Sequence, residues 1–178
     1  IALGYNNVVV YDSRYDAFVE FPEIPRLKML HASIFNSVRI VFICTPTSLH
    51  IPYATLALAS GCDVFIDKPL SSNLHGVDAL IRLAKKKKSI AMVACNFRFL
   101  DGLKKLQDIL QRQLFGSPLF ARVILGYYLP AARPSVDFKK VYAAHKRNGG
   151  GVILDSGSHV VDYLIALFGD VHDARAIS

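Results

Sequence analysis

VRIVFICTPTSLHIPYATLALASGCDVFIDKP, residues 38–69, is the stretch on which the fold turns. Its first seven residues, Val38 to Cys44, are apolar on both faces. A short continuous apolar run ending at turn residues predicts a strand buried on both sides, as in a parallel sheet. Pro52 to Ser60 reads as a helix closed by Gly61. Glycine tolerates the left-handed backbone that ends a helix, which makes it the expected residue just past the end. Asp63 to Asp67, DVFID, is then a second buried strand. Strand, helix and strand in this order form a βαβ unit, with parallel strands and a right-handed crossover.

The same alternation extends in both directions. Downstream, Ser71 or Ser72 is placed to cap a helix that carries Val77 to Ala84 and runs into four lysines, Lys85 to Lys88. A serine oxygen at a helix start satisfies an otherwise orphaned N–H. Ser89 to Ala94, SIAMVA, is a further strand. Upstream, Val8 to Tyr11 is a short β-rich run ending at Asp12. Repeated alternation predicts an α/β fold with a doubly wound parallel sheet, the Rossmann arrangement. Ser13 to Ser37, holding Pro22 and Pro25, is short for a complete helix–strand–helix connection.

The pattern changes after Asn96. Leu103, Leu106, Ile109, Leu110 and Leu114 fall on one helical face. Phe115 to Pro118 reads as a turn, and Leu119 to Leu129 alternates loosely, as a half-buried strand does. Residues 130–149 form a loop rich in Pro, Ala and Lys, and a glycine run leads into a helix from Val152 to Phe168 that stops at Gly169. The expected division is therefore at residue 96, with an incomplete dinucleotide-type domain over 1–95 and the start of a second domain over 96–178. The chain starts at Ile1, and Ala174 to Ser178 reads as a strand cut short. A piece of a longer protein is the expectation, lacking the first strand and its glycine loop.

Composition narrows the class. Of 178 residues, 52% are hydrophobic, enough for a packed core and against disorder. Net charge is +7, and four of the positive charges are the lysine run. Lysines in a last helical turn complement the helix dipole, and no aromatics interleave with them as base stacking would need. No nucleic-acid partner is expected. No apolar stretch approaches the ~18 residues of a membrane span, so no membrane partner is expected either. The three cysteines, Cys44, Cys62 and Cys95, match no zinc spacing. They are expected as buried or half-buried thiols, consistent with a reducing, cytoplasmic compartment.

Four places carry possible chemistry. In the otherwise apolar helix 152–168, Asp155, His159 and Asp162 recur at i, i+4 and i+7, which puts them on one face. Buried carboxylates and imidazoles are costly unless paired or used. A structural Asp–His brace, a catalytic pair and part of a metal site all fit this spacing; no third or fourth ligand is evident, so no metal is assigned. The second place is Thr45-Pro46-Thr47 with His50, directly after a strand, where doubly wound sheets bind ligands. An ordinary turn fits equally well. The third is Asp67-Lys68-Pro69 at another strand end, either a surface turn or a lysine held by the proline's restricted backbone. The fourth is Asp12, where dinucleotide folds place an acid on the ribose hydroxyls, roughly 20 residues after a glycine fingerprint.

Three blocks together resemble the Gfo/Idh/MocA oxidoreductase family. CTPTSLHIPYATLALASGCDVFIDKPLS, residues 44–71, is similar to that family's TPxxxH helix and Glu-Lys-Pro tripeptide. NFRF at 96–99 is similar to its domain crossover, and GGGVILDSGSHVVDYLIALFG, residues 149–169, to its GGGxxxDxxxHxxD helix. The resemblance implies a Rossmann domain followed by an α+β substrate domain on a mainly antiparallel sheet, through which members associate as homo-oligomers. It implies a hydride transfer between nicotinamide and a hydroxyl carbon of a sugar, amino sugar or cyclitol. Catalytic roles fall on Lys68, Asp155 and His159. Cofactor contacts fall on Cys44, Thr45, Pro46, His50, Asp67, Lys68, Asn96 and Arg98, with Asp12 on the ribose. Asp12 favours NAD, while the nearby Arg14 leaves NADP open. A cis Lys68–Pro69 bond is also implied. The chain departs from the family in carrying Asp67 where glutamate is usual, and in having no tryptophan before the glycine run. Some relatives keep this fold as non-catalytic cofactor sensors; the retained lysine and histidine argue against that here.

Overall fold

The computed structural model describes residues 7–14, 17, 20–126, 128, 131, 137, 139–141, 144, 145, 148 and 150–177. Most of the loop expected over 130–149, with Leu129 and Gly149, lies outside them.

The centre is a parallel sheet of three strands in the order β1 (Ile40–Ile43), β2 (Asp63–Ile66), β3 (Ala91–Val93). Ile43, Ile66 and Val93 lie side by side in register. Helix α1 (His50–Ala59) joins β1 to β2 and α2 (Val77–Lys87) joins β2 to β3. The expected βαβαβ order is therefore present.

Gly61, with φ at +84°, terminates α1. Its N–H bonds the Leu58 carbonyl at 2.9 Å and the Cys62 N–H bonds the Ala57 carbonyl at 3.1 Å, the paired bonds of a Schellman cap. The helix α2 begins later than the serines suggested. Ser71 Oγ accepts the Asn73 N–H at 3.3 Å in a local turn, and the chain enters α2 through Gly76 at φ +78°. A short polar side chain that bonds two residues ahead competes with helix formation, so the serine shapes the turn and the glycine starts the helix. Lys85, Lys86 and Lys87 occupy the last turn of α2, with Lys88 left-handed at its end.

Both helices lie on one face of the sheet. Strands added in one direction through right-handed crossovers place their helices on the same side, and α1 packs on α2. The core forms there, from Ile43, Ala54, Leu58, Val64, Ile66 and Leu80, all buried. The opposite face corrects the expectation of two-sided burial. Phe42 is 67% exposed and Ile40 50% exposed. Phe42 and Phe65 pair there at a ring separation of 5.5 Å.

Two further expectations are corrected. Val8 to Tyr11 forms no strand of this sheet; its one pairing is a parallel bridge from Val10 to Arg26. Residues 119–126 contain no strand, and Leu119 is 98% exposed. Alternating apolar residues hold a strand only where a neighbouring strand accepts the backbone bonds, and none is present among the described residues. The antiparallel sheet is accordingly absent from the described residues. Helix α3 (Asp101–Gln111) follows the crossover turn as expected. The final helix is a π-helical turn, Ile153–Gly157, continuing into α4 (Ser158–Phe168) and ending at Gly169 with φ +88°. No helix among the described residues is long and apolar enough to cross a membrane.

Candidate active site

β2 ends at Ile66 and delivers Asp67, Lys68 and Pro69 to the carboxyl edge of the sheet. The Lys68–Pro69 bond is cis. Asp67 Oδ1 accepts the Lys68 N–H at 2.8 Å, which fixes the start of the turn. The lysine side chain crosses to the last helix. Its Nζ donates to Asp155 Oδ1 at 3.1 Å and also to the Asp155 main-chain oxygen. The side chains are 17% and 10% exposed, so this is a largely desolvated ion pair. π-helical turns free backbone groups from the regular ladder and recur at functional sites; Asp155 sits within one, and its carbonyl is among the lysine's acceptors.

His159 lies one turn after Asp155, as the spacing required. Its ring stacks on Phe97, with centroids 4.2 Å apart and planes 11° from parallel. Burial, then the neighbouring Lys68 charge, pushes the His159 pKa below the ordinary histidine value; Asp155, Asp162 and Asp67 pull the other way without winning. Lys68, Pro69, Leu70, Cys95, Ser158 and His159 all line one cleft of about 230 Å³. Lys68, Asp155 and His159 are thus brought together from two segments far apart in the chain.

Asp162, the third member of the helix face, is committed elsewhere. It accepts two bonds from Arg98, from Nε at 2.8 Å and from Nη2 at 2.6 Å. The guanidinium holds the Asp162 carboxyl below the usual carboxylate range, and the same pairing raises Arg98. Each helix carboxylate thereby has a cation partner, which offsets the cost of burying it. The Cys95 thiol is pushed up to about 11, first by burial and then by Asp162.

The remaining sequence candidates are placed less directly. His50 is 1% exposed. Its Nδ1 meets the Pro69 carbonyl at 2.8 Å and its Nε2 the Thr45 carbonyl at 2.9 Å. The ring thereby ties the loop after β1 to the turn after β2. Pro46 precedes a short 3-10 turn over Thr47–Leu49 and packs no described contact into the cleft. Cys44 is exposed, against the expectation of burial, with its pKa raised by local desolvation and then by Asp67. Arg98 is engaged with Asp162 instead of standing open to a ligand, and the Asn96 N–H is bonded to the Ala94 carbonyl at 2.9 Å. Asp12 is bonded by Arg14 through the backbone N–H at 2.8 Å and the guanidinium at 3.1 Å. That pair sits on a turn outside the three-stranded sheet.

Thr45 Oγ1 bears on cofactor fit. It is buried without a hydrogen-bond partner at the carboxyl end of β1. Buried hydroxyls are rarely left unpaired, and the carboxyl ends of parallel strands are where dinucleotides bind. An orphaned hydroxyl there, beside a cleft lined by Lys68 and His159, fits the polar edge of a nicotinamide cofactor. No sequence pattern assigns a role to Phe97 or Ser158. An aromatic beside Arg98 in the crossover was the available signal for the first.

The fold is shared with known proteins. Residues 5–95 match the model of an oxidoreductase family with an NAD-binding Rossmann fold, and residues 103–178 match the Gfo/Idh/MocA C-terminal domain. A myo-inositol 2-dehydrogenase of Thermotoga maritima is 29% identical over 134 residues, covering 75% of this chain and 37% of the relative. A D-xylose dehydrogenase of Paenarthrobacter nicotinovorans is 29% identical over 146 residues, covering 79% of this chain and 36% of the relative. The chain therefore spans well under half the length of these curated relatives. The fold of a myo-inositol 2-dehydrogenase from Lactobacillus plantarum matches at a TM-score of 0.72 and 20% identity, over 91% of this chain and 48% of that one. The chain belongs to the Gfo/Idh/MocA oxidoreductase family, whose members bind NAD on a Rossmann fold.

Proposed function

We propose that Lys68, Asp155 and His159 oxidise a secondary hydroxyl of a sugar, amino sugar or cyclitol, with NAD as the electron acceptor. The observation that carries this reading is Lys68, paired with Asp155 at 3.1 Å, lining one cleft with His159. Lysine has three N–H donors, and Asp155 takes two. The third remains for the substrate oxygen, where a positive donor stabilises the negative charge that develops as the O–H proton leaves. His159 accepts that proton as general base. Nicotinamide, when bound, supplies the acceptor for the carbinol hydrogen and its electron pair. The carbinol becomes a carbonyl, and the proton rests on His159. Asp155 holds the lysine in place through Oδ1 and its main-chain oxygen. Small-molecule specificity and any homo-oligomer contact belong to the second domain, proposed to begin near residue 96.

The depressed His159 pKa fixes the sign of the pH dependence. A neutral ring is the base, and it persists to lower pH than an ordinary histidine at 6.5. Oxidation should decline as pH falls, with its midpoint below 6.5. The test is a panel of sugars and polyols supplied with NAD and followed by NADH absorbance. Lys68→Ala and His159→Ala should each lower kcat by roughly 10²–10⁴ while NAD still binds. Tight NAD binding with no turnover across the panel would favour a cofactor sensor. Full activity in either variant would remove the assignment.

A further inference from the structure

We propose that Phe97 is a positioning residue for His159, fixing the plane of the imidazole from the crossover turn, while its neighbour Arg98 anchors the helix that carries it. The proposal rests on the reading of His159 as the proton acceptor.

The geometry is three consecutive contacts between one short turn and one helix face. The turn is Asn96–Phe99. Phe97 stacks on His159 at 4.2 Å and lies 6.3 Å from the Tyr163 ring at 24°. Arg98 grips Asp162 with two bonds of 2.8 and 2.6 Å. His159, Asp162 and Tyr163 stand at i, i+3 and i+4, so the turn meets a single stripe of α4. The two anchors differ in kind. A bidentate guanidinium–carboxylate pair defines orientation as well as distance, so it sets how α4 is rotated about its axis. A stacked aromatic ring then restricts the last free rotation, that of the imidazole about its own side-chain bond. Terminal torsions of histidine are broad when nothing packs on the ring. With one face covered by Phe97, the opposite face and the edges, which carry the nitrogens, remain for the cleft.

The groups facing His159 come from every element around it. Lys68 and Asp67 approach from the turn after β2, Asp155 and Asp162 from its own helix, and Cys95 and Phe97 from the crossover. Phe97 alone among them carries neither charge nor polar atom, so its influence on the ring is exclusion of water and restriction of motion. Burial is the first cause of the lowered His159 pKa. Removing the ring should therefore raise that pKa toward 6.5 with all charges unchanged.

The experiment follows the His159 ring protons by NMR across a pH titration of this chain, assigned by their loss in His159→Gln. In the wild type they should be shifted upfield by the Phe97 ring current and titrate below 6.5. Phe97→Leu should abolish the upfield shift and raise the midpoint. Phe97→Tyr should preserve both and guards against a variant that merely misfolds. In turnover assays Phe97→Leu should lower kcat on the order of 10-fold to 100-fold, the scale of a misplaced catalytic group, with KM for NAD unchanged. An unchanged ring-proton shift and midpoint in a folded Phe97→Leu chain overturns the proposal. The titration needs neither cofactor nor substrate. A protein that turned over no polyol would count against the proposed function and leave the positioning claim to be decided by the spectra.

Discussion

At the residue scale, His50 shows how a buried polar group can organise a site without touching a ligand. It is 1% exposed and bonded through both ring nitrogens to carbonyl oxygens 5 and 19 positions away. The ring joins the Thr45 loop to Pro69, the residue next to Lys68. His50→Ala removes both contacts and leaves a void among fully buried neighbours, so it should cost about 2–4 kcal/mol. Urea denaturation would measure this; a loss below about 0.5 kcal/mol would mean the tie is unimportant. Lys68, Asp155 and His159 could be read from the sequence because charged residues inside apolar runs demand an explanation. The target of His50 could not. It is a main-chain carbonyl, and every residue has one, so nothing in the sequence marks Pro69 as the acceptor. The Arg98–Asp162 pair was equally hidden, since its members lie 64 positions apart.

At the scale of elements, the two left-handed glycines that bound α1 and α2 do different jobs. Gly61 has open space where a Cβ would go, whereas a Cβ on Gly76 would come within 2.9 Å of Ile51 Cγ2. Substituting alanine at either site forces a left-handed backbone that costs roughly 1–2 kcal/mol. Gly76→Ala adds a collision between α2 and α1, so its melting temperature should fall further than that of Gly61→Ala. Equal losses in thermal melts would show that α1 simply shifts aside. The βαβαβ order was readable because apolar runs, helical periodicity and Gly61 agreed on it. The start of α2 was not, because Ser71 is as able to bond a local turn as to cap a helix. Residues 119–126 had the pattern of a strand, but a strand also needs a neighbour to accept its backbone bonds.

At the scale of the whole molecule, what the sequence left unstated was direction. Apolar runs at 38–44 and 63–67 imply buried strands but not which side the helices take. Right-handed crossovers laid down in one direction put α1 and α2 together and leave Phe42, Phe65 and Met92 on the other face. Phe42 and Met92 are 67% and 41% exposed. Phe42→Ser should then leave far-ultraviolet circular dichroism unchanged while reducing the fluorescence of a hydrophobic dye such as ANS. A collapse of the helical signal would show instead that Phe42 belongs to the core.

The bare sheet face has a colloidal consequence. Among the described residues, the sheet face that carries Phe42 and Met92 is an oily strip open to water. Its net charge of +7 supplies mutual repulsion between molecules. That repulsion is screened beyond ~8 Å at physiological ionic strength, whereas apolar attraction is not. Light scattering from the chain should consequently rise as salt is added, and the protein will keep best in dilute buffer.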